Sequence, residues 1–171
     1  MKSTVTGQEE QPSLYDSDFA LWAETTAKNV RKGCLPEAER EHVAEEIADM
    51  AKRDYRELRS RLIVLLMHLM KWAAQPERRK GSTRLYTIDE QRDQIRIIFE
   101  ESPSLRARLS KEMLTVYERA AKGASGETGT NRMNFLVSGL HPGNLLGFDI
   151  LLDDSFFPER IEDLYPKPGK A

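Results

Sequence analysis

Three groups of side chains in this chain have the types and spacing to do chemistry. Glu45, Glu46 and Asp49, with His42 one turn before the two glutamates, recur at separations of three and four residues and so share one side of a helix. That face could present oxygen ligands to a hard cation or to a pair of metals. Carboxylate-bundle metal proteins, however, draw a Glu-x-x-His pair from each of two helices plus further glutamates, a set this chain does not supply. In the second group Arg61 and His68 stand seven apart, and Lys71 and Gln75 continue the line beside a leucine-rich face. If the acidic segment folds back on this stripe, Glu46 and Asp49 meet Arg61 and His68 inside a bundle. A closed network of that kind would specify which helices pair and would shift the titration of His68. An open one would leave His68 as a candidate acid or base. The third group is the basic connection Arg78-Arg79-Lys80 with Arg84 nearby, flanked by Trp72 and Tyr86. Arginines interleaved with aromatics grip phosphates and stack on bases.

Other chemistries are excluded or unsupported. Cys34 is the only cysteine, so there is no internal disulfide and no thiolate-rich metal site. No Gly-rich phosphate loop occurs. No catalytic set, metal or cofactor is predicted. The sequence pI is about 6 and no helix-turn-helix pattern is evident, so a nucleic-acid partner is disfavoured. The longest apolar stretch, Leu62 to Ala74, contains His68 and Lys71 and falls short of the roughly 20 residues of a membrane span. The first residues, MKSTVTGQEEQPS, do not read as a signal peptide, and a cytoplasmic location is expected.

Charge is unevenly spread along the 171 residues. Residues 1 to 51 carry five Lys/Arg against eleven Asp/Glu, a balance of −6, whereas residues 52 to 96 carry twelve against six, a balance of +6. Either the two stretches pair with each other within one fold, or the basic one meets an external anion such as nucleic acid.

The elements that must position these groups all read as helices. Asp16 or Ser17 is placed to cap a first helix with Phe19, Trp22, Thr26 and Val30 on one face, which Gly33 stops. Pro36 and the acidic residues after it open an unbroken helix-competent run over residues 37–75, one helix or two, with a bend or break expected around Met50 to Asp54 where the apolar stripe thins. Its second half carries the stripe Leu58, Leu62, Leu65, Leu66, Leu69 and Trp72. Thr87 to Glu90 reads as a capping box before a helix buried through Ile95, Ile98 and Phe99. Ser102-Pro103 then opens a helix from Leu105 to Ala120, ending between Gly123 and Gly129 in a stretch expected to be a loop. Asn144 is a candidate cap for a short helix over Leu145 to Leu152, and Phe156-Phe157 a candidate aromatic clasp.

Seven blocks in order, YDSDFALWAETTAKNVRKG, AEEIADM, ELRSRLIVLLMHLMKW, QPERR, TIDEQRDQI, ESPSLR and LLDDSFFPE, carry a resemblance. Together they resemble the bacterial family called domain of unknown function 29, common in cyanobacteria and proteobacteria, from about Tyr15 to Glu159. The resemblance implies an α-helical cytoplasmic protein and supplies no activity. Departures from the family pattern are Ala51, where glycine is usual, His42, where asparagine is frequent, and the stretch NRMNFLVSGLHPGNLLGFDI.

The expectation is therefore an all-α helical bundle of four to six helices with a long central helix, straight or bent, and an irregular C-terminal segment. It is read as one domain over residues 15–160, between a disordered tail (1–14) and a loose one (161–171). As a function, binding of another protein is expected, as a monomer or homodimer. A metal- or ligand-binding enzyme on the Glu45, Glu46, Asp49, Arg61 and His68 seam is the second reading, and nucleic-acid binding through the 78–84 loop the third.

Overall fold

A computed structural model describes residues 13–79, 83–137 and 140–165. Among these the chain is all-α, with seven α-helices, four short 3-10 turns and no strand. It divides into two compact units, Met1–Ala51 and Lys52–Ala171. The boundary falls where the apolar stripe thins, at the exposed residues 49–54. The expected tails are mostly outside the described residues, as are Lys80 and its two followers in the basic connection.

In the first unit, α1 (Leu14–Ser17) is a single turn capped by Ser13, and α2 (Phe19–Arg31) is capped by Asp18, whose carboxylate accepts the Leu21 N–H at 3.0 Å. The cap is thus Asp18 rather than Asp16 or Ser17. Gly33 ends the helix at φ 69°, a left-handed conformation that costs residues with a Cβ. The helix α3 (Glu37–Ala74) follows Pro36 directly and is hydrogen-bonded throughout, so no turn within it doubles the chain back at Met50 to Asp54. Its first fifteen residues belong to this unit.

The second unit is a helical bundle with one contiguous core. Leu58, Leu62, Leu65, Leu66 and Leu69 of α3 are all fully buried, as their spacing predicts, while Trp72 is half-buried at the margin. The next helix, α4 (Arg84–Glu101), begins one turn earlier than expected; Thr87 lies inside it, its hydroxyl donating to the Thr83 carbonyl at 3.2 Å. Ser102-Pro103 does separate α4 from α5 (Ser104–Ser110). The single helix expected from Leu105 to Ala120 is two, because the backbone tightens at Lys111 and Glu112 before α6 (Met113–Thr128). No breaker marks that point; there Arg108 lies 3.9 Å from the Tyr55 ring centroid and Glu112 3.2 Å from Arg59, contacts that tie the junction to α3.

The stretch expected to be a loop is helix. Residues of α6 continue through Gly123 and Gly126 to Thr128, and Gly129, at φ 71°, caps them. Ala120, Ala121 and Ala124 supply a small buried face, and a Cβ at Gly123 would lie 2.8 Å from the Met67 sulfur, so that glycine admits a close side chain. Beyond α6 the chain is irregular, as expected. Asn144 does not cap a helix over Leu145 to Leu152; it closes a 3-10 turn at Pro142–Asn144, and only Phe148–Leu151 (α7) is helical. The segment from residue 161 is not loose up to Tyr165. Leu164 and Tyr165 are buried, and the Tyr165 hydroxyl donates to the Phe135 carbonyl at 2.6 Å. No helix among the described residues is long and apolar enough to cross a membrane.

Candidate functional site

The first unit carries an open apolar groove. Between α2 and the start of α3 lies a groove of about 410 Å³ lined by Trp22, Thr26, Val30, Val43, Ile47 and Met50. Its position follows from two stripes: residues 22, 26 and 30 on α2, and residues 43, 47 and 50 on α3, each at helical spacing. Among the described residues of this unit only Trp22 and Thr26 are buried, whereas Val30, Ile47 and Met50 are 50%, 63% and 58% exposed. At one end of the two helices an aromatic cluster holds them together. Tyr15 stacks on His42 with ring centroids 4.2 Å apart, Trp22 meets Tyr15 edge-on at 4.7 Å, and the Trp22 indole N–H donates to Glu39.

The acidic face is engaged in the same unit. Glu46 accepts the Tyr15 hydroxyl at 2.9 Å, which holds that phenol above its ordinary pKa. Glu39 and His42, a Glu-x-x-His pair, approach to 3.6 Å, and Glu39 also serves Trp22. Glu45 and Asp49 are exposed. Among the described residues no group of three or more His, Cys, Asp and Glu side chains stands close enough to hold a metal ion.

The remaining members of the seam lie in the second unit. Arg61 pairs with Glu57 one turn back, at 2.7 Å. His68 sits beside Lys71, whose ammonium is buried and bonds Glu127 of α6 at 2.5 Å. Burial, with Lys71 and then Arg84 as nearby cations and Glu127 opposing, lowers the His68 pKa to about 4, and its Nδ1 is buried without a hydrogen-bond partner. The imidazole is therefore neutral at pH 7. Between about pH 6.5 and about pH 4 the unfolded chain takes up a proton that the folded site refuses, so the stability this site contributes is full above that window and is lost as pH falls through it. His68→Leu is expected to flatten that part of the profile. Urea midpoints of both proteins at pH 7 and pH 4.5 test this, and an unchanged drop in the variant would refute it.

Of the basic connection, Arg78 is exposed while Arg79 and Arg84 are drawn inward. Arg79 donates to the Trp72 carbonyl at 3.0 Å and the Glu159 carbonyl at 2.9 Å; Arg84 donates to the Lys71 carbonyl at 3.2 Å and to Gln75 at 2.6 Å. These guanidinium donors close the end of α3 onto its neighbours.

The residue that spacing should have singled out is Arg92. It lies four after Ile88 and three before Ile95, within the buried stripe of α4, and is fully buried. Its guanidinium donates to the carbonyls of Leu151 (3.1 Å) and Phe156 (2.5 Å), reaches that of Asp154 (3.5 Å), and lies 5.0 Å from the Phe157 ring centroid. Phe157 in turn packs on Trp72 at 5.0 Å, so the aromatic clasp exists and an arginine seats it. Next to it, Arg96 bonds Asp93, Asp154 and the Leu152 carbonyl. An acidic recess of about 420 Å³ there, lined by Asp89, Asp93 and Asp154, is answered by these two arginines.

The chain matches no curated protein and no solved structure. A family model, "Domain of unknown function DUF29", matches residues 14–146. That match takes in the first six of the seven blocks quoted above and stops before LLDDSFFPE, so the C-terminal end of the resemblance is not part of it. With most of its length matched, from the first helix to the end of the irregular segment before α7, the chain belongs to the family of domain of unknown function DUF29.

Proposed function

We propose that this protein is a binding module that takes an amphipathic, positively charged helix of another protein into the groove between α2 and the start of α3. The exposure of Val30, Ile47 and Met50 around a groove of about 410 Å³ carries this reading, because apolar side chains clustered on a surface cost free energy until something covers them. A helix laid in such a groove buries its own leucines at i, i+3, i+4 and i+7. The sign of the partner follows from charge: residues 1–51 carry a balance of −6, with Glu45 and Asp49 exposed on the helix that forms one wall. Arg31, the cation at the groove margin, would sit opposite a carboxylate of the guest.

The test uses the full chain and two synthetic helical peptides with the same leucine stripe, one with lysines and one with glutamates on the polar face. Binding is followed by the fluorescence of Trp22, which lines the groove. The lysine peptide is expected to bind and the glutamate peptide to bind far less. Val30→Asp with Ile47→Asp is expected to weaken the lysine peptide by about a hundredfold, since burying each such side chain is worth roughly 1.5–3 kcal/mol and about 1.4 kcal/mol is tenfold. Equal binding of both peptides would overturn the charge argument. Unchanged binding by the double variant would overturn the groove. A wild type that sediments as a dimer while Ile47→Asp sediments as a monomer would give the groove to a second copy instead.

A further inference from the structure

In the second unit, a small cleft between α3 and α6 gathers three guanidinium groups. Arg56, Arg59, Ser60 and Ile63 recur at helical spacing on one face of α3, and Arg119 of α6 lies opposite; together they line a cavity of about 140 Å³. We propose that this cleft binds the phosphoryl group of a small phosphate monoester, or free phosphate, as its dianion.

Charge and donors support this. Neither Arg56 nor Arg119 makes an ion pair or hydrogen bond among the described residues. Arg59 lies 3.2 Å from Glu112, but its Nε is buried and has no hydrogen-bond acceptor, because that contact lies off the N–H direction. Glu112 thus offsets one positive charge without saturating the donors. Three guanidinium groups against one carboxylate leave two uncompensated charges, the number that a dianion carries. Each guanidinium presents planar, forked N–H donors that match oxyanion edges, and the Ser60 hydroxyl adds one more donor. Ile63, half-buried, forms an apolar wall over the fully buried Leu62 and Leu66, so one side of the cleft has a low dielectric and strengthens the attraction. A carboxylate, with one charge and two oxygens, would leave a guanidinium unused. The cavity admits the phosphoryl group and leaves any organic remainder outside.

The cleft calls for NMR titration of the full chain, reading the arginine side-chain Nε–H signals. Inorganic phosphate at pH 8 is the first probe, phenyl phosphate the second, and acetate at matched ionic strength the control. Saturable shifts of Arg59 and Arg119 with both phosphates and none with acetate are expected. Binding should weaken at pH 5, where a phosphate monoester regains one proton (second pKa about 6) and becomes a monoanion while arginine remains charged. Arg56→Ala with Arg119→Ala, both at exposed positions, is expected to weaken phosphate at least about tenfold, the loss of roughly one charge-assisted contact or more. Glu112→Gln should tighten it, since a competitor for Arg59 is neutralised. Equal response to acetate, a double variant that titrates like the wild type, or looser binding in Glu112→Gln would each overturn the proposal. So would a single-stranded oligonucleotide that binds through these arginines while both phosphates fail, because the site would then read a polyanionic backbone. Saturation by inorganic phosphate but not phenyl phosphate would confine the ligand to the free ion and uphold the site.

Discussion

Arg92→Ala is expected to lower the free energy of unfolding by roughly 2–6 kcal/mol, since it leaves two carbonyl acceptors unsatisfied at about 1–3 kcal/mol each. The side chain is fully buried, and its donors serve carbonyls of Leu151 and Phe156, 59 and 64 residues further along. Alanine would leave those carbonyls without their donor, and an unsatisfied buried acceptor costs about 1–3 kcal/mol on its own. It would also remove the cation packed against Phe157. Lysine is not a substitute, because a single ammonium does not reproduce a planar fork directed at several carbonyls. Arg92→Lys should therefore recover only a minor part of the loss. Urea unfolding measures both, and limited proteolysis within residues 151–157 should accelerate in Arg92→Ala before global unfolding. A loss below about 1 kcal/mol, the net value of one ordinary hydrogen bond, would show that the carbonyls find other partners.

Leu66→Ala is expected to cost roughly 2–5 kcal/mol, the range for a fully buried leucine whose surroundings relax only in part. Leu66 stands in the middle of the leucine stripe of α3, with Leu62, Leu65, Leu69 and Met70 around it, all fully buried. The cavity term should be large because helices α3, α4 and α6 are tied by contacts at Lys71, just beyond the stripe. Lys71 to Glu127 and Arg84 to the Lys71 carbonyl limit the collapse. Ile63→Ala makes the comparison, since Ile63 is only half-buried and should cost clearly less. Both are read from denaturant midpoints at constant m-value. If the two variants lose the same amount, the stripe is not the centre of the core.

Much of the fold was legible because it is written locally. Trp22 and Thr26 on α2, and Leu58 to Leu69 on α3, recur at three and four residues, and a helix needs no distant partner to express that period. Gly33, Pro36 and Ser102-Pro103 mark ends by backbone geometry alone. Where glycine misled, packing outweighed propensity: α6 passes Gly123 and Gly126 because Ala120, Ala121 and Ala124 are buried against the bundle and Gly123 makes room for Met67. Thr87 misled in another way, since a capping pattern one turn inside a helix looks the same in sequence as one at its start.

The candidate site was legible only as an inventory. Glu46, Arg61 and His68 were read as members of one polar seam; Glu46 bonds Tyr15, Arg61 bonds Glu57 and His68 lies near Lys71 and Glu127. Arg79 and Arg84, read as anion grips, donate to backbone carbonyls. Arg92, in register with Ile88 and Ile95, is buried with them, and it is the distant carbonyls it meets that make this possible.

By itself the sequence determined an all-α chain, its leucine core and its opposed charge halves, since periodicity and charge are properties of neighbours along the helix. The tertiary structure alone decided which polar groups are occupied and which remain open. Hydrogen bonds such as those of Arg92 to Phe156 or Tyr165 to Phe135 join residues 64 and 30 apart, and no local rule ranks one distant acceptor over another. It likewise left Val30, Ile47 and Met50 exposed and, among the described residues, Arg56 and Arg119 without a carboxylate, because exposure depends on what the rest of the chain packs against.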